Sequence, residues 1–551
     1  MAELSTNAKE LIKRGDKAFE EKLPFDGLCQ SIAENVYPER ADFTTERTLG
    51  SEFATNLSDG TPVLMRRDLG NNIGGMLRPR GQPWFKHDVD DERIKDEPGA
   101  AKWLDYTTNI HRHALYASTT KFVRGTKEAD HDMAAFGNLV LCCEENERRD
   151  GLRFRDYHLR DCSWLESADG DVDTLFRNFK PTARQMRQRW GEKNLHSTVQ
   201  RCCEKEPDKT FNVRHIMMPA EDYEYETKKK VLGPKFVSIY IDTDNQWMIS
   251  EAPSWEFRYI VGRWATLSGS QYAVSPAAMV SLPDARMLQA LSNLIYEAGE
   301  KSILPPVKAT EEAVRSEMNL FAGGITWVDR DYDERLGPAI EPIKLGENTG
   351  IGIDLLLRLT ALLKDEWYIS KLQLPQQGTK TAYETSQLIE EFIRANIPLF
   401  EPWESDYTLP MLEMSSSILM RVGAFGDPND TPASLHRRPM TFSFSNPLQD
   451  AIEKNRVYQF QSTAQLFSMG YPIDPSIKRD LDVREGFREA VRGSGAPADW
   501  LVERKDADKA VAADKQAQQA TQMAQQIGMA GQVAQDVGKG GQEIQAMRTA
   551  A

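Results

Sequence analysis

The chain has 551 residues, of which 68 are basic and 83 are acidic, so its formal net charge at neutral pH is −15. This balance argues against a protein that binds nucleic acid by neutralising phosphates over its whole surface. It is compatible with a protein along which DNA slides without being held. Hydrophobic residues make up 40% of the chain, as in ordinary globular proteins, and about three or four domains are expected at roughly 150 residues each.

No run of about 18 apolar residues predicts a membrane span, and the charged N-terminus lacks the apolar core of a signal peptide. The six cysteines are too few for a disulfide scaffold in so long a chain. The adjacent pairs Cys142-Cys143 and Cys202-Cys203 do not have the spacing of zinc ligands. We therefore expect buried free thiols, a reducing cytoplasm and no membrane partner.

The first 150 residues are predicted to be mostly helical. Apolar residues recur at helical spacing from residue 25 to 37, and residues 100–119 and 121–136 are predicted as further helices. Residues 53–65 are expected to pass from helix to loop at Thr61-Pro62. Residues 69–77 are rich in glycine and asparagine, and prolines interrupt the stretch that follows.

From Asn138 the pattern changes to the alternation of strands, over residues 139–143 and 152–159. Residues 182–190 are predicted as a short helix. Residues 211–262 are the most strand-like part of the chain, because β-rich segments there are separated by polar turns. This part is predicted to be a small α/β or β insertion.

A helix is predicted to follow, with Pro283 at its first position and Asp284 at the positive end of its dipole. An apolar stripe runs along it, formed by Leu288, Leu291, Ile295 and Ala298. Pro305-Pro306 cannot continue the helix. Residues 353–367 form a second apolar helix, whose face is marked by Leu355, Leu356, Leu359, Leu362 and Leu363.

Further helices are predicted over 382–394, 403–422, 451–468 and 483–492. Residues 509–551 are rich in alanine and glutamine, and no aromatic residue follows Trp500. This tail cannot supply a dense core, so it is either disordered or a helix that orders only against neighbours.

The usual catalytic signatures are missing from the sequence: a phosphate-binding P-loop, a dinucleotide-binding glycine motif, a zinc protease motif and a serine hydrolase elbow. His111 and His113 are two residues apart, so they do not share a side of a helix. Asp329, Asp331 and Asp333 begin like a calcium loop, but the glycine and the final acid that the loop requires are replaced. We expect no catalysis, no cofactor and no metal.

Two arginine-rich patches are candidates for phosphate contacts or for ion pairs: residues 148–155 and Arg437-Arg438. A different class of function stays open on the residues alone, a cytoplasmic Mg²⁺-dependent nucleic-acid-processing enzyme. Its possible ligands are Asp171, Asp173, Asp242 and Asp244, although turns explain these residues better. A monomeric scaffold or adaptor is the third possibility.

Several strings of residues occur in an order that resembles the head-to-tail connector, or portal, proteins of short-tailed bacteriophages. They are Phe136–Leu141, Leu159–Trp164, Gly170–Arg177, Pro181–Gln185 with Trp190-Gly191, His215–Pro219, Arg263-Trp264, Tyr272–Pro276, Leu282–Asp284, Pro305-Pro306 and Thr381–Thr385. None is a chemical signature by itself, but together they span roughly residues 130–400.

The resemblance implies an α+β, mainly α-helical subunit that assembles as a ring with wing, stem, clip and crown parts. The implied parts are an N-terminal wing (1–180), a helical segment leading to the stem (181–210), a β-rich clip (211–262), the stem helix region (263–308), the tunnel-loop region (309–352), wing helices (353–440), crown-proximal helices (441–504) and a crown, barrel or disordered tail (505–551).

The resemblance also implies function and partners. The ring, typically of twelve copies, lies at a capsid vertex of the virion after assembly in the host cytoplasm, and DNA is packaged and ejected through its channel. The implied partners are other copies of the chain, double-stranded DNA, terminase, tail or adaptor proteins, and capsid and scaffolding proteins.

Two sets of site residues follow from the same resemblance. Arg330, Arg335 and Lys344 are the basic residues of the implied tunnel loop and are expected nearest to the passing DNA. The stem and intersubunit candidates are Met287, Leu291 and Leu294. Within this set we expect Leu291 to pack inside its own subunit with Leu288, and Met287 and Leu294 to meet the next subunit.

Overall fold

A computed structural model of the chain defines the fold. It describes residues 2–46, 57–80, 83–91, 97–146, 151–303, 305–309, 340–343, 349–369, 401–427, 431–436, 438–444, 460–469 and 483–493, with short pieces at 50, 94, 335, 338, 399, 457, 509–513 and 516.

The described helices are α1 (Ala2–Val36), α2 (Thr61–Leu77), α3 (Pro98–Tyr116), α4 (Phe122–Phe136), α5 (Ala183–Trp190), α6 (Ser197–Lys205), α7 (Ala220–Thr227), α8 (Pro276–Ile303), α9 (Thr349–Glu366), α10 (Leu409–Arg421) and α11 (Val483–Gly493). A π-helical turn (Glu404–Thr408) precedes α10. Short 3-10 turns lie at Pro38–Arg40, Leu159–Asp161, Glu192–Asn194 and Ala433–Leu435.

The described strands are β1 (Phe85–Asp88), β2 (Asn138–Glu145), β3 (Leu152–Asp156), β4 (Cys162–Glu166), β5 (Val172–Phe179), β6 (Val213–Pro219), β7 (Phe236–Asp242), β8 (Trp247–Ser254), β9 (Tyr259–Arg263), β10 (Val307–Ala309), β11 (Ile340–Pro342) and β12 (Thr441–Phe444). Helices account for most of the described chain. The prediction of a mainly helical α+β fold is confirmed.

The chain divides into two compact units. The first comprises residues 1–86, 107–427 and 442–448, and the second comprises residues 87–106, 428–441 and 449–551. In the second unit, a small core contains Val89, Ile94, Ala100, Leu104 and Leu435, and Arg438 pairs with Asp91 at 2.9 Å.

The first unit contains an antiparallel five-stranded sheet in the order β4-β5-β6-β7-β8. Alternate residues of each strand face opposite sides, as the period of two requires. On one side, Ile216 and Ile239 pack with α1 and α7; on the other, Val213 and Tyr240 pack with α5 and α6. The strands of residues 211–254 therefore belong to one sheet with β4 and β5.

A three-stranded sheet, β3-β2-β9, lies at the centre of the first unit. The first six residues of β2 are buried on both faces, which fits the unbroken apolar run Leu139–Cys143. Helix α4 packs against β2 and β3. All six cysteines are free thiols, and five of them are buried.

The sequence predicted that a helix ends in a loop at Thr61-Pro62, and this prediction is wrong. In the structure, helix α2 begins at Thr61, because proline suits the first turn of a helix. Two of its glycines face α4: a Cβ at Gly70 would lie 2.5 Å from Nδ1 of His131, and one at Gly74 would collide with Asp130. These glycines therefore allow two helices to approach closely.

Helix α8 begins at Pro276, seven residues before the predicted start, and Pro283 lies inside it. The true start is fixed by Ser275, whose Oγ accepts a hydrogen bond from the backbone N–H of Ala278 at 3.2 Å. This is an N-cap followed by proline at the first helical position. Pro283 cannot donate to the carbonyl of residue 279, so the helix lacks one hydrogen bond there.

In the part of the chain that the structure describes, no helix is both long enough and apolar enough to cross a membrane.

Candidate subunit interface and channel-facing elements

The beginning of α8 is fixed to the central sheet by Asn138, which is fully buried. The Asn138 Nδ2 donates to the carbonyl oxygens of Ala273 (2.6 Å) and Phe136 (3.1 Å), and its Oδ1 accepts from the Ala273 N–H (3.1 Å). One side chain thus satisfies three backbone groups that have few other partners in the core.

Gly137 makes this contact possible. Its φ of +72° lies in the left-handed region, and a Cβ there would overlap the backbone of Val274 and Ser275. The Gly137 carbonyl also accepts a hydrogen bond from Trp264 N–H at 2.8 Å. Residues 136–138 therefore meet two segments from much later in the chain at one point, which we call the stem joint: residues 136–138, 263–264 and 272–275.

Tyr272 and Ser275 attach the stem joint to its surroundings. The Tyr272 ring stacks on Phe25 with centroids 4.8 Å apart, and its hydroxyl lies 3.0 Å from the Ser163 Oγ. The Ser275 Oγ donates to the carbonyl of Ala134 at 2.7 Å. The loop before α8 is thereby held by α1, α4 and β4 together.

Helix α8 has a buried face, and several of its large apolar side chains are exposed. The buried face consists of Ala277, Ala278, Ser281, Leu282, Ala285, Leu288, Gln289 and Ser292. The exposed large side chains are Met279, Val280, Met287, Leu294, Tyr296 and Ile303. Gln289 ties the helix to the segment before α2, because it accepts from the N–H groups of Ser58 (2.8 Å) and Asp59 (2.9 Å).

Helix α9 packs on α8, and two contacts show that the helices are antiparallel. Near the start of α9, a Cβ at Gly352 would lie 3.2 Å from the side chain of Ile295, near the end of α8. At the end of α9, Glu366 interacts with Asp284, which lies eleven residues before Ile295 in α8. Leu359, Leu363 and Trp367 are buried. Leu355 and Leu362, which were predicted on the same apolar face, are exposed with Ile351, Ile353 and Leu357.

Two carboxyl groups meet between these helices. Burial, followed by the nearby Asp284 carboxylate, raises the pKa of Glu366 to about 7. Protonated Glu366 donates to Asp284, whereas two ionised carboxylates repel each other. The α8–α9 contact is therefore more favourable at mildly acidic pH.

The predicted interface residues lie on different parts of α8. Met287 and Leu294 are 54% and 61% exposed, on the surface that no described residue covers. Leu291 is partly buried and packs against the core of its own subunit. The exposure of Met287 and Leu294 is compatible with an intersubunit role, which remains a prediction.

Of the predicted channel residues, only Arg335 is described, and it is exposed. Arg330 and Lys344 lie outside the described residues, as does the acidic motif at residues 329–333. Strands β10 and β11 pair antiparallel, and Lys308 forms an ion pair with Glu341 at 2.7 Å. This pairing brings together the two ends of the segment 310–339.

Three of the four carboxylates considered as magnesium ligands accept hydrogen bonds from neighbouring side chains, Asp173 from the Thr174 hydroxyl at 3.0 Å. Asp242 accepts from the N–H (3.1 Å) and Nδ2 (2.7 Å) of Asn245, and Asp244 accepts from those of Asn212 (2.9 and 2.8 Å). Over the described ranges, no group of three or more potential ligands is assembled. His111 is buried and lies 2.7 Å from the Ser415 Oγ, whereas His113 is exposed.

The stem joint is the feature that sequence reasoning missed. The strings that contain Gly137, Arg263 and Tyr272 each stood out, but nothing in the chain order indicates that they touch. An isolated glycine followed by a buried asparagine at the start of an apolar strand is the signal that suggests a close backbone approach.

The comparisons with known proteins agree with these observations. The sequence model of the family described as "Bacteriophage head to tail connecting protein" matches residues 8–502. The chain is 21% identical to the "Portal protein" of Salmonella phage epsilon15, over 90% of this chain and 89% of that protein. It is 24% identical to the "Probable portal protein" of Bordetella phage BPP-1, over 84% of this chain and 83% of that protein.

Among solved structures, a chain of "Neck of empty GTA particle computed with C6 symmetry" aligns at 10% identity, over 85% of this chain and 99% of that chain. Its TM-score of 0.32 is too low to support any structural argument. The family match covers most of the sequence and includes the stem joint and both helices of the α8–α9 pair. This chain belongs to the family of bacteriophage head-to-tail connecting proteins.

Proposed function

We propose that the chain is the portal subunit of a short-tailed phage. Its copies form a ring at one capsid vertex of the virion, and double-stranded DNA enters and leaves through the central channel. The ring docks terminase during packaging and tail proteins afterwards. The observation that carries this proposal is the family match over residues 8–502, with portal proteins as relatives over more than four-fifths of their length.

The exposed apolar side chains of α8 and α9 support a ring. Several large apolar side chains left exposed on two neighbouring helices favour coverage by a partner, and each fully buried Leu or Met contributes about 1.5–3 kcal/mol. A ring requires a heterologous interface, in which a surface of one copy meets a different surface of the next. We propose that Met287 and Leu294 lie in that interface.

We propose that α8 lies in the stem, residues 309–352 in the tunnel-loop region and α9 in the wing behind it. A separate clip over residues 211–262 is not part of the proposal, because β6–β8 continue the sheet of β4 and β5, and β9 pairs with β2. The pairing of β10 with β11 supports the tunnel-loop assignment, since it brings together the two ends of the segment that connects α8 to α9. Arg330, Arg335 and Lys344 are then the basic residues nearest to DNA.

The first test is the native mass and shape of the purified chain. Twelve copies of 62.4 kDa weigh about 749 kDa, and end-on views in negative stain should show a ring with a central hole. A monomer that cuts DNA in the presence of Mg²⁺ would overturn the proposal in favour of a nuclease.

The interface is tested with Met287→Asp/Leu294→Asp. The matched control is Leu232→Asp/Leu267→Asp, which changes two residues that are 90% and 55% exposed and belong to neither α8 nor α9. We expect the first variant to remain folded and lose the ring, because it places two charges in an apolar contact. Rings in both variants would exclude this face as the interface.

The channel residues are tested by replacing Arg330, Arg335 and Lys344 with alanine. We expect rings to form normally, while DNA packaging or retention falls. Unchanged packaging would remove these three residues from the channel.

A further inference from the structure

The most basic part of this acidic chain is residues 177–193. It contains six basic residues and one acidic residue, Glu192, so its net charge is +5 in a chain of −15. We call the five exposed basic side chains of this stretch the arginine surface; they are Lys180, Arg184, Arg187, Arg189 and Lys193. The sixth, Arg177, is buried.

Helix α5 holds the centre of the arginine surface in a fixed position. Its N-terminus has a complete capping box, in which Thr182 and Gln185 exchange side-chain-to-backbone hydrogen bonds. Ala183 and Met186 are buried against the five-stranded sheet. Arg184 and Arg187 therefore point away from the sheet, three residues apart and on neighbouring positions of one helical face.

Aromatic rings hold two of the arginines. Arg177 lies between the rings of Tyr157 (4.1 Å) and Phe179 (4.2 Å), and its Nε donates to the Tyr259 hydroxyl at 3.2 Å. Arg189 lies 4.9 Å from the Tyr240 ring and donates to that hydroxyl at 2.8 Å. Such contacts restrict a guanidinium without neutralising its charge.

No carboxylate neutralises these arginines within the part of the chain that is described. Arg177, Arg184, Arg187 and Arg189 form no ion pair within 4.0 Å there, whereas arginines elsewhere in the first unit, such as Arg40, do. The positive charge of these arginines also affects a buried histidine. Burial, and then Arg177, Arg189 and Arg258, lower the pKa of His215 well below its ordinary value.

We propose that the arginine surface binds phosphodiester groups of duplex DNA. This inference deepens the proposed function and rests on it for the presence of DNA near the subunit. It assigns a DNA contact outside the tunnel-loop region, on the side of the five-stranded sheet that α5 and α6 cover.

The chemistry favours a phosphate backbone as the ligand. A guanidinium presents a planar set of donors that matches an oxyanion, and duplex DNA offers one charge per about 1.7 Å along its axis. The rings at Arg177 and Arg189 are occupied by guanidinium groups, so they are not free to stack on bases. Binding should therefore be independent of sequence and no stronger for single strands than for duplex.

The test is fluorescence anisotropy of a labelled 20-base-pair duplex with the full chain, between about 50 and 200 mM salt. The variant is Arg184→Ala/Arg187→Ala/Arg189→Ala. The control is Lys9→Ala/Lys13→Ala/Lys17→Ala, three exposed residues of α1 on the opposite side of the same sheet. Both variants remove three positive charges, so a change in DNA affinity caused by net charge alone would be equal in the two variants.

We expect the arginine variant to lose at least about tenfold in affinity at 50 mM salt, with a salt dependence shallower by about 2–3. The control should stay within about twofold. Arg→Lys at the same three positions should bind with intermediate affinity, because it keeps the charge and loses the bidentate geometry. Equal binding by the two alanine variants would overturn the proposal.

Deca-glutamate distinguishes phosphate recognition from a surface for acidic proteins. If it displaces the duplex at equal charge concentration, the surface recognises carboxylates and the proposal is wrong. Negative-stain images of the arginine variant separate this result from the proposed function. If the arginine variant forms rings and binds DNA more weakly, both the portal function and the DNA contact of the arginine surface are supported. If the unmodified chain forms no rings, the proposed ring is refuted, and the anisotropy measurements still decide whether the arginine surface binds DNA.

Discussion

Asn138→Ala offers the sharpest test of the stem joint. The substitution removes three hydrogen bonds and leaves the N–H and carbonyl of Ala273, a residue only 1% exposed, without their partner. An orphaned buried polar group costs about 1–3 kcal/mol, so two such groups predict a loss of about 2–6 kcal/mol in the free energy of unfolding.

The assay is urea unfolding followed by tryptophan fluorescence. Trp264 is a buried residue of the stem joint, and its ring lies 5.3 Å from that of Trp403. Its fluorescence therefore changes when this region unfolds. All variants are compared at one protein concentration, because assembly shifts apparent stability. Asn194→Ala is the control: it removes one exposed hydrogen bond to the Trp190 carbonyl and should change stability by less than about 0.5 kcal/mol.

Asn138→Asp refines the test. It keeps the acceptor for the Ala273 N–H but places a carboxylate against two carbonyl oxygens at neutral pH. The loss in the free energy of unfolding caused by Asn138→Asp should be smaller in acid, because a protonated carboxyl group can donate a hydrogen bond again. If Asn138→Ala cost no more than Asn194→Ala, the hydrogen bonds of the joint would not be what holds α8 to the sheet.

Three further predictions concern the same region. Gly137→Ala should cost several kcal/mol more than Gly423→Ala in urea unfolding, because both have φ near +75° but only at Gly137 would a Cβ meet the backbone of another segment; equal costs would show that the joint relaxes freely. Ser275→Ala removes the cap of α8 and should cost about 0.5–2 kcal/mol in the same assay. For Glu366, a folded pKa raised to about 7 means that its contribution to stability is fully present below pH 4.5 and is lost as the pH rises through 7. The difference in melting temperature between the unmodified chain and Glu366→Gln should therefore change between pH 5 and 8, and a constant difference would contradict the carboxyl pairing.

The sequence predicted most elements where the apolar pattern was long and regular. The apolar run at β2, the strands β6 and β7 within the strand-like residues 211–262, and the helix at residues 353–367 all appear where the sequence predicted them. The faces of α9 were less predictable: five leucines marked one stripe, yet Leu355 and Leu362 are exposed, because a helix with apolar residues on more than one face does not indicate which face packs internally.

Glycine and proline caused the two main errors. In α2, Gly70 and Gly74 suggest a loop by composition, but they are needed where α4 approaches most closely. In α8, Pro283 resembled a helix start, whereas the effective signal was the cap and proline at Ser275-Pro276. Local propensity favours one interpretation in both cases, and tertiary contacts that the sequence does not display decide otherwise.

The arginine surface was missed for a related reason. Arginines that are close together in sequence, such as those of residues 148–155 and Arg437-Arg438, are easy to recognise in the sequence. The stronger cluster joins the end of β5 to α5. It contacts the rings of Tyr157, just after β3, and of Tyr240 in β7, which only the folded chain brings near it.

Helix α8 is fixed at one end only. Its first turn is tied to the sheet through Ser275 and Asn138, and its middle packs on α9, but Tyr296 and Ile303 near the other end are 67% and 80% exposed. Backbone amides should therefore exchange slowly with deuterium around Leu288 and progressively faster towards residue 303. Such a gradient along a single helix would show that its last turns open most often, where the helix extends beyond its buried residues.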